Sequence, residues 1–535
     1  MPQGLIVPPN RSAVKTVLTL GRAALVFLFL GSAGWAQSQG GRVTWALINE
    51  DATLNPINST ATGPAIIGPK IFEGLVRYDE KLDPQPELAT QWSVSEDGLT
   101  YTFTLRPNVK WHDGQPFTAE DVKFSLERLK AAHPRGRVTF SSVSAIETPD
   151  PQTVVVKLSR PAPFLLTALA ASESPIVPAH IYKDVDASAP APDRAIIGTG
   201  PFIFKEWKRG NSVLLARNPN YWDQGKPYLD EILFRFVPDA AARAAAFEAK
   251  EIDIGGDGVI AAAEIARIKQ VPHLLIDEKR STYEGTHRML IFNFDTPVLQ
   301  DRKVRQALSH AIDRKAVNNL IWFGQAVDSP TPISPSLAKF HNPNIKGYAF
   351  DPALANKLLD EAGYPKKNDG YRFKLRISAN NSIDPRISFL FQQQLKAVGV
   401  DSEIQRGDRA AYLKRIYTDR DFDLTTEALA NAFDPTIGVQ RVYWSKAFKV
   451  GVPFANPGHY SNPEVDTLLE AAAVELNADK RRELFLKFQE VVHNDAASVD
   501  LVDPPSATVV NRRVKNYFVG GNGLSHNFAS TYIDK

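Results

Sequence analysis

A chain of 535 residues exceeds the roughly 250–300 at which one hydrophobic core stops growing, so two or more domains are expected. Hydrophobic residues make up 43% and charged residues 23%, which excludes a disordered chain and a fibrous repeat. Lys and Arg number 62 against 60 Asp and Glu, a net charge of +2 that argues against nucleic-acid binding, and the absence of Cys excludes disulfides, thiolate metal sites and a cysteine nucleophile.

The N-terminal segment reads as an export signal. Arg11, Lys15 and Arg22 precede an apolar run over residues 23–30, and the small residues Gly34 and Ala36 follow where a signal peptidase reads. The run falls short of the ~20 apolar residues that a membrane span needs. The expectation is a secretory signal over residues 1–36, cleavage after Ala36, and a soluble exported chain. With no Cys at that junction, it is not expected to be a lipoprotein.

Strand and helix signals then alternate. Residues 43–48 read as an apolar strand. Tyr101, Phe103 and Leu105 alternate with Thr102, Thr104 and Arg106, the period-2 pattern of a half-buried strand. Past the Asp113-Gly114 turn, Thr118 stands three residues before Asp121, a capping-box start for a helix carrying Val122, Leu126 and Leu129. Residues 153–158 predict another strand, residues 187–193 a loop and residues 255–258 a turn. Farther on, Val304, Leu308, Ala311 and Ile312 share one helical stripe. Pro385 opens a helix with Leu390, Phe391, Leu395 and Val398 on its apolar face, and Gly399 closes it before a strand over 400–405. Two more stripes follow, one of Val465, Leu468, Leu469, Ala472 and Leu476, the other of Leu484, Phe488, Val491 and Val492. These patterns indicate mixed α/β lobes.

Familiar catalytic motifs are missing. The sequence has no G-x-S-x-G elbow and no phosphate-binding P-loop, and no two His lie three to five residues apart as a helix-borne metal pair would. His112 beside Asp113 reads as structural because it sits in a turn between a strand and a capped helix. Neither an enzyme nor a cofactor or metal is expected.

The stretch over residues 86–128 is the most specific. It contains Pro86-Glu87-Leu88-Ala89, Trp92, Ser95-Glu96-Asp97-Gly98, Val109-Lys110-Trp111-His112-Asp113-Gly114 and Pro116-Phe117-Thr118-Ala119-Glu120-Asp121-Val122. Phe72-Glu73-Gly74-Leu75 precedes it. Gly198-Thr199-Gly200-Pro201-Phe202, Asn218-Pro219-Asn220-Tyr221-Trp222, Val304-Arg305-Gln306-Ala307-Leu308 and Tyr460-Ser461-Asn462-Pro463 follow in order. This series resembles the family 5 solute-binding proteins, the oligopeptide- and dipeptide-binding components of ABC importers, over essentially the whole mature chain.

The resemblance implies a periplasmic-binding-protein-like α/β fold, two lobes with a hinge, the first carrying an inserted subdomain. Lobe 1 would comprise residues 37–283 and 499–535 with the insertion at about 74–183, and lobe 2 residues 284–498. The hinge would then involve Thr282, Tyr283, Glu284, Asp500 and Val502. The implied partners are a small-molecule ligand in the cleft between the lobes and ABC permease subunits of the inner membrane, with the protein a periplasmic monomer. Ligand pockets favour such interfaces.

Several residues become candidates for the ligand site. By similarity, the loop after the first strand reaches the cleft, so Thr60 and Thr62 offer hydroxyls there or simply make turn contacts. Arg135 and Arg137 flank Gly136 in what reads as a loop, and their guanidinium forks match a carboxylate or phosphate unless they are only solvated charges. Arg386 opens its helix near where relatives place a basic group, or is an ordinary surface arginine. Peptide-binding relatives also carry an Asp four residues before an acidic-Pro pair, to hold the α-ammonium of the peptide. Here the pair is Asp434-Pro435 but the position holds Asn431, with Ala428 and Leu429 where an aromatic is usual. The carboxylate could come from Glu427 or Asp434 if the register differs. An anionic or zwitterionic ligand, peptide-like or an opine-like amino-acid conjugate, fits this departure. Alternatives are a secreted hydrolase of peptides or glycosides, a binding protein for oligosaccharides or metal chelates, and a chemosensory or chaperone role.

Overall fold

The computed structural model describes residues 39–186, 192–256, 258–283, 285–380 and 384–534. The export signal with its cleavage site, most of the loop expected over 187–193, and Glu284 lie outside the described residues.

In chain order the strands are β1 (Arg42–Leu47), β2 (Val76–Tyr78), β3 (Pro84–Pro86), β4 (Ala89–Val94), β5 (Thr100–Leu105), β6 (Val143–Asp150) and β7 (Thr153–Leu158). Then come β8 (Phe202–Lys208), β9 (Ser212–Arg217), β10 (Glu231–Phe236), β11 (Ile254–Gly255), β12 (Leu274–Asp277), β13 (Thr286–Phe292) and β14 (Val327–Asp328). They are followed by β15 (Phe373–Asn380), β16 (Val400–Gly407), β17 (Leu424–Ala430), β18 (Ser498–Asp503) and β19 (Thr508–Asn511).

Among the described residues these strands build two large sheets. One runs β12-β19-β11-β1-β10-β9-β8, the other β14-β18-β13-β17-β15-β16. A four-stranded sheet, β4-β5-β7-β6, lies in the chain between β1 and β8 of the first large sheet, so it is an insertion into the first lobe. This is the two-lobed architecture with an inserted subdomain.

Local chemistry explains the elements that frame the lobes. In β5 the side chains of Tyr101, Phe103 and Leu105 are buried while Thr102 and Thr104 are not, which fixes the face turned to the core. The helix Ala119–Ala132 begins with a complete capping box between Thr118 and Asp121, and buries Val122, Leu126 and Leu129. The helix Pro385–Ala397 has Asp384 as its cap and Pro385 at its first position, and buries Phe391 and Leu395. It ends at Gly399, whose φ of +83° is a backbone conformation that a β-carbon would strain. Leu476, expected in a helical stripe, instead lies exposed between the helices Pro463–Ala472 and Ala478–Asn494.

The chain passes between the large sheets twice, from β12 to β13 and from β18 to β19. The second passage departs from expectation. Asp500 and Val502 are not hinge residues but interior residues of β18, facing Met289 and Arg288 of β13 across the ladder. Residues 498–503 therefore belong to the second lobe, and the return crossing is residues 504–507, which open with Pro504-Pro505. The first crossing does hold Thr282 and Tyr283. Thr282 donates its hydroxyl to the Glu80 carbonyl at 3.2 Å. The Tyr283 ring stacks on Tyr78 of the first lobe at 5.9 Å and on Phe433 of the second at 6.4 Å.

His287, the second residue of β13, ties that strand electrostatically to β18, beside the points where the two crossings meet the second lobe. Its Nε2 lies 2.8 Å from Asp500 and its Nδ1 3.2 Å from Asp503, all three side chains being buried. Burial alone would push the imidazole pKa down, but the two carboxylates outweigh it and hold the pKa up at about 9. Its charged form is thus favoured by folding. That stability is present in full below pH 6.5, the unfolded value, and is lost as pH rises through about 9, which by the size of the shift is on the order of 3 kcal/mol. Denaturant unfolding of His287→Gln and the parent at pH 6 and pH 9.5 is expected to show their stability gap shrinking by about that amount at the higher pH.

Candidate functional site

Three cavities that share lining residues stand out among the described residues. The largest, about 800 Å³, is walled on the first lobe by Thr60 and Arg135 and on the second by Arg288, Glu427, Arg441 and Trp444. A second, about 620 Å³, touches both crossings and is lined by Arg280, Arg288, Trp322, Phe323, Arg386 and Pro504. A third, about 410 Å³, includes Thr60, Thr62, Tyr283 and Thr286. Thr60 belongs to the first and third cavities, and Arg288 to the first and second.

Thr60 and Thr62 stand at the start of the helix Thr62–Ile71, both exposed, Thr60 lining the first and third cavities and Thr62 the third. The arginine expectations require correction. Arg135 does line the main cavity, but its fork is already engaged by Glu173: Nε donates to Oε2 at 2.8 Å and Nη2 to Oε1, while Nη2 also lies 3.3 Å from the Tyr283 hydroxyl. Arg137 lines none of these cavities. Residues Gly136–Thr139 form a helical turn rather than an open loop, and Arg137 Nε donates outward to the Ala131 carbonyl at 3.3 Å. Arg386 borders the second cavity but is exposed and paired with Asp384 at 2.7 Å.

Asn431 and Asp434 are structural. Asn431 is buried outside the cavities, its Oδ1 accepting from Ser334 N and its Nδ2 donating to the Pro332 carbonyl at 3.3 Å. Asp434 receives both arms of Arg481, at 2.8 and 2.7 Å, and also caps the turn Pro435–Gly438 through Thr436 N at 2.9 Å. With side chains only 5–6% exposed, this pair is closed to a ligand.

Two charged residues line the main cavity from neighbouring strands of the second large sheet. Arg288 sits on β13, and its buried Nε has no hydrogen-bond partner among the described residues. Burial depresses the guanidinium pKa, with Glu427 as the opposing influence. Glu427 lies on the neighbouring strand β17, facing Met289, one position from Arg288. Its carboxylate accepts from the hydroxyls of Tyr412 at 2.6 Å and Tyr417 at 3.0 Å, and burial raises its pKa. A desolvated cation and a desolvated carboxylate therefore border one cavity from adjacent strands. The sequence signal for both was a charged residue at the head of a short apolar run, Arg288 before Met-Leu-Ile-Phe and Glu427 before Ala-Leu-Ala. Ala428 and Leu429 also line this cavity.

The His112–Asp113 pair makes no catalytic dyad. His112 is tied to backbone, Nε2 to the Gly200 carbonyl at 3.0 Å and Nδ1 to Gly198 N at 3.3 Å, and burial pushes its pKa down to about 4. Asp113 instead meets His180 at 2.7 Å. Among the described residues no group of three His, Asp or Glu is arranged to hold a metal, and no helix is long and apolar enough to cross a membrane.

This architecture has close counterparts. Heme-binding protein A of Haemophilus influenzae is 27% identical over 94% of this chain and 96% of its own length. Glutathione-binding protein GsiB of Salmonella typhimurium is 27% identical over 87% of this chain and 90% of its own. The structure of NikZ from Campylobacter jejuni in complex with Ni(L-His) superposes with a TM-score of 0.77 and 28% identity, covering 91% of this chain and 97% of that one. The relatives are binding proteins rather than enzymes. Residues 83–449 match the model of the bacterial extracellular solute-binding proteins, family 5 (middle region), and the two-lobed chain with a polar cavity at its crossings belongs to that family of ABC-importer binding proteins.

Proposed function

We propose that this protein captures a zwitterionic, amino-acid-like or peptide-like solute and delivers it intact to the permease subunits of an ABC importer. Arg288 carries the reading: a half-buried arginine that lines the main cavity, its Nε without a partner among the described residues, has the charge and the parallel N–H donors that a carboxylate completes. Glu427, one strand away, is suited to an ammonium, whose charge would favour the ionised carboxylate. Thr60 and Thr62 add hydroxyls from the opposite lobe, so one ligand would touch both lobes and favour closure. Haem, glutathione and the L-histidine of Ni(L-His), which the names of the relatives record, each contain a carboxyl group. In this reading the chain acts as a periplasmic monomer, released from its signal after Ala36 without a lipid anchor.

Mass spectrometry of small molecules released on denaturing the purified mature protein tests this. The expected result is a chemically intact solute carrying both a carboxylate and an amino group. Recovery of a solute without any acid group would overturn the reading.

A further inference from the structure

Arg288 lines two cavities rather than one, and the smaller is strongly basic. Arg280, Arg288 and Arg386 all border it, against the single acid Asp384. Arg280 is held by a bond from Nη1 to the Pro504 carbonyl at 2.8 Å, so it is fixed on the return crossing. Arg386 is steadied by Asp384 and by a bond to the Leu320 carbonyl at 3.2 Å. Both keep further N–H groups available, since a guanidinium has five. The wall beyond is apolar, formed by Ile260, Ile321, Trp322 and Phe323. Lining comes from both lobes and both crossings, so an occupant would contact every part that moves on closure.

We infer that this crossing-side cavity is a second ligand compartment that takes an anionic group. The ligand class it implies is an elongated amino acid or conjugate with a second acid group beyond its α-carboxylate. This rests on the assignment of the main cavity to an amino-acid head group at Arg288 and Glu427. The head group would lie on one side of Arg288, and the chain would pass it to place its distal acid between Arg280 and Arg386. The apolar wall suits the methylene chain between the two ends. A free inorganic anion would use the same donors, and the two sources are separable by experiment.

The test uses the full mature protein and four probes: L-2-aminosuberate, its neutral-tailed counterpart L-2-aminooctanoate, inorganic phosphate and sodium chloride at matched ionic strength. Binding is read by calorimetry and, for weak binders, by thermal shift. The parent is expected to prefer aminosuberate by roughly tenfold or more, the worth of one charge-assisted contact. The R280Q/R386Q double variant is expected to lose that preference while keeping its affinity for aminooctanoate, and R288Q to weaken both amino acids. Equal binding of both, still weakened by R288Q, overturns the second compartment and leaves the main-cavity reading standing. Binding of neither, or binding indifferent to both R288Q and E427Q, overturns that reading and the inference with it. Phosphate that competes with aminosuberate but adds to aminooctanoate binding, beyond the chloride control, supports the anion compartment and shows that a free anion can occupy it. A phosphate effect equal to that of chloride restricts it to the acid end of the ligand.

Discussion

Replacing Asp434 by Ala is expected to lower the unfolding free energy by about 3–5 kcal/mol, because it strips the partner from a buried guanidinium. Arg481 cannot recover its charge balance elsewhere. Its remaining contacts are the Ala472 carbonyl at 2.7 Å, the Thr436 hydroxyl at 2.9 Å and the faces of Phe340 and Phe485, none of which is anionic. The same change also removes the cap on Thr436 N. Asp434→Asn keeps an acceptor for that cap and separates the two effects, and Arg481→Met in the Asp434→Ala background should recover part of the loss by removing the orphaned charge. Chemical denaturation of the four proteins checks this. The affinity for the co-purified solute should be unchanged in every variant that folds, since neither residue lines any of the three cavities described; a matching loss of affinity would show that Asp434 touches ligand after all.

The second large effect is on binding. Arg288→Ala should weaken the co-purified solute by roughly 2–5 kcal/mol, or about thirtyfold at the lower end, if the carboxylate it meets is desolvated. Arg288→Lys should fall between, because an ammonium keeps the charge and loses the parallel fork. Stability should move the other way. Arg288 is half-buried with no partner for its Nε among the described residues, so its removal should leave the ligand-free protein as stable as the parent or more so. Calorimetry with each variant, paired with denaturation of the ligand-free protein, reads both signs. An Arg288→Ala protein with parental affinity would remove this residue from the site.

What the sequence could reveal here divides along a physical line. Features set by neighbours in the chain were legible: the Thr118–Asp121 box, the alternation of β5 and the glycine stop at Gly399 all stand where local chemistry places them. The family series from Pro86 onward carried the fold. The site residues depended on partners far away in the chain. Arg135 looked available until Glu173, 38 residues on, took its fork, and Asp434 until Arg481, 47 residues on, did the same. Arg288 and Glu427, by contrast, are 139 positions apart and are brought together by the pairing of β13 with β17, which no local pattern encodes. The crossing was displaced from Asp500 and Val502 for a related reason: only the ladder of β18 with β13 decides which lobe residues 498–503 join.

Pro504-Pro505 gives the two straps between the lobes unequal stiffness. Each proline ring pins its own φ near −65°, and each restrains the residue ahead of it, so Asp503, Pro504 and Pro505 have little torsional freedom left. The other strap contains no proline between Glu278 and Gly285. Its Tyr283 is tied to the first lobe by the bond from its hydroxyl to Glu173, while toward the second lobe it meets only the flat ring of Phe433, a contact that can slide without breaking a hydrogen bond. A rotation of one lobe against the other would therefore be taken up mainly by the pliant strap and pivot about the rigid one, as a door swings from its post. Arg280, bonded to the carbonyl of Pro504, ties the approach to the pliant strap to that post.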